Sequence, residues 1–161
     1  MKLILIALCF TSLSAIAAPD KIFLLRHAEK LQGNNPSLTS EGQHRAKWVA
    51  SFLSEFKPNK LFSTDYNRTK ETLAPLAEKT KMNVVIYNPR ELNAFADKIK
   101  KLNGTIVIAG HSNTTPKLAG LIDGKQYIQF DEKQFERYFE INLVGKEYIT
   151  VIKEMGINTH K

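Results

Sequence analysis

Two histidines and two arginines of this chain each lie where an apolar run gives way to polar sequence. Ile22-Phe23-Leu24-Leu25 leads into Arg26-His27-Ala28-Glu29, and Thr105-Ile106-Val107-Ile108-Ala109 leads into Gly110-His111-Ser112. The second arginine follows Ser63-Thr64-Asp65-Tyr66-Asn67 as Arg68-Thr69. These residue types suit phosphoryl transfer. A guanidinium group offers a planar fork that grips two phosphate oxygens and keeps its charge at any working pH. A neutral imidazole with one free nitrogen can attack phosphorus, and nearby arginines disfavour the imidazolium that could not. A second imidazole can donate to phosphoryl oxygens as charge rearranges. A helix beginning after His111-Ser112-Asn113 would add backbone N–H donors. The leaving alkoxide then needs a proton, which a carboxylic acid supplies. Singly, each residue has a plainer reading: a histidine hydrogen-bonded in a loop, or an arginine solvated or paired with Asp65 or Glu71. Jointly, the four are what a phosphate pocket with a histidine nucleophile requires.

The elements that must position them alternate in type. Residues 22–25, 60–63, 83–87 and 105–109 read as strands, each a short apolar run. Residues 38–56, 68–79, 90–101 and 113–121 read as helices from their apolar spacing, with Thr39 or Ser40 capping the first and Pro58 helping to stop it. Residues 138–143 and 147–152 alternate around Val144-Gly145-Lys146, the pattern of an antiparallel hairpin. The sum predicts an α/β fold: a three-layer, mostly parallel sheet with helices on both faces and an antiparallel C-terminal hairpin at one edge. In such sheets ligands bind beyond the carboxyl ends of the strands. Arg26-His27, Ser63-Thr64 and Gly110-His111 all follow such ends.

These residues resemble the histidine phosphatase superfamily, the phosphoglycerate mutase-like family. Its Arg-His-Gly/Ala hallmark is similar to Arg26-His27-Ala28. Its Leu-Thr-x-x-Gly-x-x-x-Ala stretch matches Leu38-Thr39-Ser40-Glu41-Gly42-Gln43-His44-Arg45-Ala46, and its Ser-x-x-x-Arg-Thr-x-x-Thr pattern is close to the run from Ser63 to Thr72. Gly110-His111 matches its last motif. The resemblance implies a phosphoglycerate mutase-like fold, His27 as the phosphorylated nucleophile, and Arg26, Arg68 and His111 as the phosphate pocket. It also implies no metal and no cofactor. For the proton donor it points to Glu91, whose plainer reading is a first-turn acid favouring the helix dipole. The Asp of the acid-phosphatase branch is replaced by Ser112. Glu29 is an accessory candidate, either as donor or in orienting Arg26. Ser112 and Asn113 are further accessory candidates, Asn113 equally as a helix cap. The short connections predict an open pocket without a lid.

At 161 residues the chain reads as one domain. Lys2, the apolar stretch over residues 3–16 and Ala15-Ile16-Ala17 form the three-part pattern of a cleaved signal peptide over 1–17, with the domain over 18–161. No stable membrane span is expected after cleavage. The one cysteine, Cys9, lies in that segment, which leaves the remainder without disulfide, thiolate metal site or cysteine nucleophile. Asn-x-Thr sequons at Asn67, Asn103 and Asn113, two of them beside Arg68 and His111, favour a bacterial exported protein, periplasmic or secreted. The net charge of +7 lacks an aromatic-rich basic stripe or nucleic-acid motif, so it reads as a field favouring phosphorylated substrates and not nucleic acid. The expected activity is metal-independent hydrolysis of a phosphate ester or phosphohistidine, on a small molecule or a phosphoprotein. The alternatives are a non-catalytic phospho-ligand binding module and, among enzymes, a phosphatase of envelope sugars or lipid head groups. The oligomeric state is not legible.

Overall fold

In a computed structural model the fold is described for residues 18–156; the expected signal segment lies outside those residues. All ten expected elements are present, with ends shifted by a few residues. They are β1 (Pro19–Arg26), α1 (Ser40–Ser54), β2 (Lys60–Ser63), α2 (Asn67–Thr80), β3 (Val84–Ile86), α3 (Leu92–Ile99), β4 (Gly104–Gly110), α4 (Thr114–Asp123), β5 (Arg137–Val144) and β6 (Glu147–Glu154). One six-stranded sheet runs in the order β3-β2-β4-β1-β5-β6. The first four strands in that order are parallel, and β5 joins β1 antiparallel, extended by β6 as the edge hairpin. Among the described residues no helix is long and apolar enough to cross a membrane.

The apolar runs of β1 and β4 are unbroken because both faces of these central strands are covered. Strand side chains alternate in direction. Ile22, Leu24, Ile106 and Ile108 therefore share a core with Phe95 and Ile99 of α3 and Leu118 and Ile122 of α4. Phe23, Leu25, Val107 and Ala109 share the opposite core with Val49 and Leu53 of α1 and Leu73 and Leu76 of α2. Burial of each large aliphatic side chain stabilises the fold by about 1.5–3 kcal/mol. The two cores fix the sheet between two helical layers.

For the site, one register matters most. β1 lies directly beside β4, with Arg26 opposite Gly110. The His27 amide donates to the Gly110 carbonyl at 2.9 Å. Residues 84 positions apart, His27 and His111, thereby emerge side by side from adjacent strand ends. The connection leaving β1 runs through α1 toward β2, whereas the one leaving its neighbour β4 runs the other way, through α4 on the opposite face, toward β5. That change of direction between neighbours opens the crevice in which such sheets bind ligands.

Candidate active site

The loop after β1 is held from two sides, and its holders are the residues that gave the motifs their spacing. On one side stands the start of α1. Thr39 Oγ1 accepts from the Gly42 amide at 3.1 Å, so Thr39 is the cap. The Thr39 amide donates to the Glu29 carbonyl at 2.9 Å. Gly42 lies so close to that carbonyl that an added Cβ would meet its oxygen at 2.1 Å, which is why this position lacks a side chain. Leu38 and Ala46 close a small cluster around Ala28. On the other side stands α2. Thr72 Oγ1 accepts from the Ala28 amide at 2.9 Å and donates to the Arg68 carbonyl at 2.6 Å. Thr72 thus ties the loop after β1 to the turn that carries Arg68.

Arg26, His27, Arg68 and His111, which the sequence predicts to meet, do meet. The two imidazole rings stand edge to face with centroids 5.6 Å apart. His27 is buried, and its Nδ1 lies 2.8 Å from the Ala28 carbonyl. A carbonyl only accepts, so Nδ1 carries the proton and Nε2 keeps its lone pair. His27 is pushed down to about 3, first by burial and then by the charges of Arg26 and Arg68, against the opposing Ala28 hydrogen bond. Burial therefore outranks the arginines that the sequence reading credited. His111 is held down to about 4, again by burial first and then by Arg68 and Arg26.

The tautomer of His111 follows from its partners. Arg68 Nη2 only donates, at 3.4 Å from His111 Nδ1. His111 Nε2 must then carry the proton and donate to Thr64 Oγ1 at 3.0 Å. Thr64 in turn contacts Thr69 Oγ1 at 2.9 Å. In this arrangement His111 holds Arg68 instead of presenting a proton to the pocket, which differs from the donor role expected from sequence. Tyr66 completes the wall: its ring lies under the Arg68 guanidinium at 4.4 Å and edge-on to His111 at 5.0 Å. The Nε atoms of both Arg26 and Arg68 are buried without a partner. Buried cationic donors left unpaired are costly, and the cost is relieved by an anion.

The accessory candidates divide. Ser112 is buried and faces the pocket, where its hydroxyl donates to Glu132 Oε1 at 2.7 Å. Glu29 does not orient Arg26; it forms a forked ion pair with Arg45 of α1, at 2.9 and 3.0 Å to Nε. Asn113 is exposed at the N-cap of α4 and makes no side-chain capping bond. Instead, Thr114 Oγ1 accepts from the His111 amide at 3.0 Å. Glu91 is exposed and is itself the N-cap residue of α3, one position before the first turn, with no side-chain cap bond. Among the described residues no group of three or more His, Cys, Asp or Glu is arranged to hold a metal ion.

The expected open pocket is corrected by the segment between α4 and β5. Arg26 Nη1 donates to the carbonyls of Asp131 and Gln134 at 2.9 and 3.3 Å. Arg26 Nη2 pairs with Glu132 Oε2 at 2.8 Å. The Phe135 ring lies 4.2 Å from the Arg26 guanidinium carbon and 6.0 Å from the His27 ring. Glu132 and Phe135 are thus parts of the site that sequence reasoning missed. The signal that could have found them is the sparse apolar pair Phe130 and Phe135 framing acidic residues in an aperiodic stretch just before β5.

Comparison with known proteins agrees with this geometry. The sequence model of the histidine phosphatase superfamily (branch 1) matches residues 22–94, which include Arg26, His27 and Arg68. No curated protein sequence matches the chain. Among solved structures, a mycobacterial glucosyl-3-phosphoglycerate phosphatase in complex with inorganic phosphate is similar at 12% identity and a TM-score of 0.61, covering 86% of this chain and 97% of that one. The protein histidine phosphatase SixA, complexed with tungstate, is similar at 12% identity and a TM-score of 0.62, covering 83% and 96%. A phosphoserine phosphatase of Entamoeba histolytica, in complex with 3-phosphoglyceric acid, is similar at 14% identity and a TM-score of 0.62, covering 86% and 98%. At these identities the likeness is one of fold, the phosphoglycerate mutase-like architecture expected from the sequence. With the motifs in order, the match over 22–94 and that shared fold, the chain is similar to the histidine phosphatase superfamily (branch 1).

Proposed function

We propose that the protein is a histidine-type phosphatase in which His27 is the nucleophile. The observation that carries this reading is the state of His27: buried beside two arginines, neutral, with Nδ1 committed to the Ala28 carbonyl and Nε2 free. Such a nitrogen can attack phosphorus without first losing a proton. Arg26 and Arg68 would grip the equatorial oxygens, and their charge would match the charge spread over those oxygens in the transition state. The Nε2–P bond forms as the P–O or P–N bond to the leaving group breaks, with the electron pair going to the leaving atom. Water then attacks the phosphohistidine, returning neutral His27 and inorganic phosphate. His111 keeps Arg68 in place through both steps.

The substrate we propose is a phosphorylated small molecule or phosphoprotein. The names of the structural neighbours, which include a sugar phosphate phosphatase and a protein histidine phosphatase, support that range. We also propose that the chain is exported, on the three-part pattern over residues 1–17; N-terminal sequencing of the protein recovered from its native cells tests this. For the activity, hydrolysis of p-nitrophenyl phosphate in EDTA is the direct assay. Turnover by the wild type and its loss in His27→Gln are expected. Equal turnover by both proteins would overturn the reading.

A further inference from the structure

Residues 125–136 bring to the phosphate pocket a carboxylate that the nucleophile reading leaves without a task. Glu132 Oε2 accepts from Arg26 Nη2 at 2.8 Å, and Oε1 accepts from Ser112 Oγ at 2.7 Å. Ser112 directly follows His111, so the carboxylate spans from Arg26 to the neighbour of the residue that holds Arg68. Its backbone is anchored. The Phe130 amide donates to the Ser112 carbonyl at 3.1 Å with the Phe130 ring buried, and Arg26 Nη1 holds the Asp131 and Gln134 carbonyls. Its side chain, in contrast, is 68% exposed at the pocket mouth. Glu91, the other carboxylate offered for this role, makes none of these contacts and sits exposed at the head of α3.

We propose that Glu132 is the proton donor and acceptor of the reaction, and that the substrates it serves are phosphate esters of unactivated alcohols. This rests on His27 as the nucleophile. In the free protein Arg26 and Ser112 occupy the two carboxylate oxygens of Glu132. A phosphate dianion entering the pocket takes Arg26 as its own partner. Glu132 is then released from Arg26 and stands beside the bound phosphate, within the pocket where the leaving oxygen departs. As the Nε2–P bond forms and the P–O bond breaks, the carboxyl gives its proton to the departing oxygen, which leaves as the alcohol. In the second step the carboxylate takes a proton from the attacking water as the P–N bond breaks, and is ready for the next cycle. An alkoxide is a poor leaving group and gains from this proton; a nitrophenolate does not need it.

The test compares an alkyl phosphate, glycerol 2-phosphate, with p-nitrophenyl phosphate on four proteins: wild type, Glu132→Gln, Glu91→Gln and His27→Gln. With glycerol 2-phosphate, Glu132→Gln is expected to lower kcat/KM by about 10²–10⁴-fold, the range of a lost general acid. It should also lose the alkaline limb of the pH profile. The pre-steady-state burst of nitrophenolate should stay within a few-fold of wild type in the same variant, which shows that the fold and the nucleophile are intact. Glu91→Gln should follow wild type on both substrates. An unchanged alkyl-to-aryl ratio in Glu132→Gln, a selective alkyl loss in Glu91→Gln, or a wild type that turns over the aryl ester alone would each overturn the assignment while leaving His27 standing. Turnover of p-nitrophenyl phosphate that His27→Gln leaves intact would refute the nucleophile, and the role of Glu132 with it.

Discussion

Acid should destabilise this protein through buried His27, by an amount the structure sets. Unfolded, the His27 imidazole titrates at 6.5; folded, it is pushed down to about 3, chiefly by burial. Between those values the unfolded chain binds a proton that the native protein refuses. Stability from this group is therefore full above 6.5 and is lost progressively as the pH falls toward 3. The loss grows by about 1.4 kcal/mol per pH unit, reaching about 2 kcal/mol at about pH 5. His111, held down to about 4, adds a similar loss at that pH. Urea unfolding of wild type and His27→Gln at neutral pH and at about pH 5 isolates the His27 share, because every other titrating group is common to both proteins. The drop in unfolding free energy on acidification should be smaller in the variant by about 2 kcal/mol. The same drop in both proteins would refute the buried neutral imidazole, and with it the argument that His27 is always ready to attack.

Three other substitutions probe what holds the site. Gly42→Ala drives a Cβ into the Glu29 carbonyl; it should cost about 1–3 kcal/mol of stability by thermal or urea unfolding and slow turnover by displacing the nucleophile loop. Thr72→Val deprives the buried Ala28 amide of its acceptor, an expected loss of about 1–3 kcal/mol, and should raise KM for an aryl phosphate as Arg68 loses its tie. Arg68→Lys keeps the charge but not the fork; turnover should fall by about 10²-fold, with the unfolding midpoint little changed. A variant at wild-type rate would remove Arg68 from the pocket.

Much of this was legible in the chain because the elements that build the site are local. The unbroken apolar runs of β1 and β4 announce strands covered on both faces, and Thr39, Gly42 and Ala46 carry the spacing of a helix that docks against one loop. The strand order was not legible. Nothing in residues 22–25 says that they pair with 105–109, and not with the nearer 60–63, because pairing is decided by how the two cores close over the sheet. Nor was the task of Thr72 legible: its place in a motif gives no hint that its hydroxyl serves the Ala28 amide 44 positions away. The largest omission is the segment carrying Glu132 and Phe135. It has neither helical nor strand period, and it is ordered by contacts with Arg26 and Ser112 that exist only once β1 and β4 stand together. Short connections predict a pocket without a lid, yet this segment packs onto Arg26 and beside His27.

The measurement that bears most directly on the account is a rapid-quench trap of the phosphorylated protein. Mixing the protein with a ³²P-labelled aryl phosphate in EDTA should label it within the first turnover. The label should be acid-labile and base-stable, as phosphohistidine is, should map to His27, and should be missing from His27→Gln. Turnover without such a label, or a label on any other residue, would contradict the account.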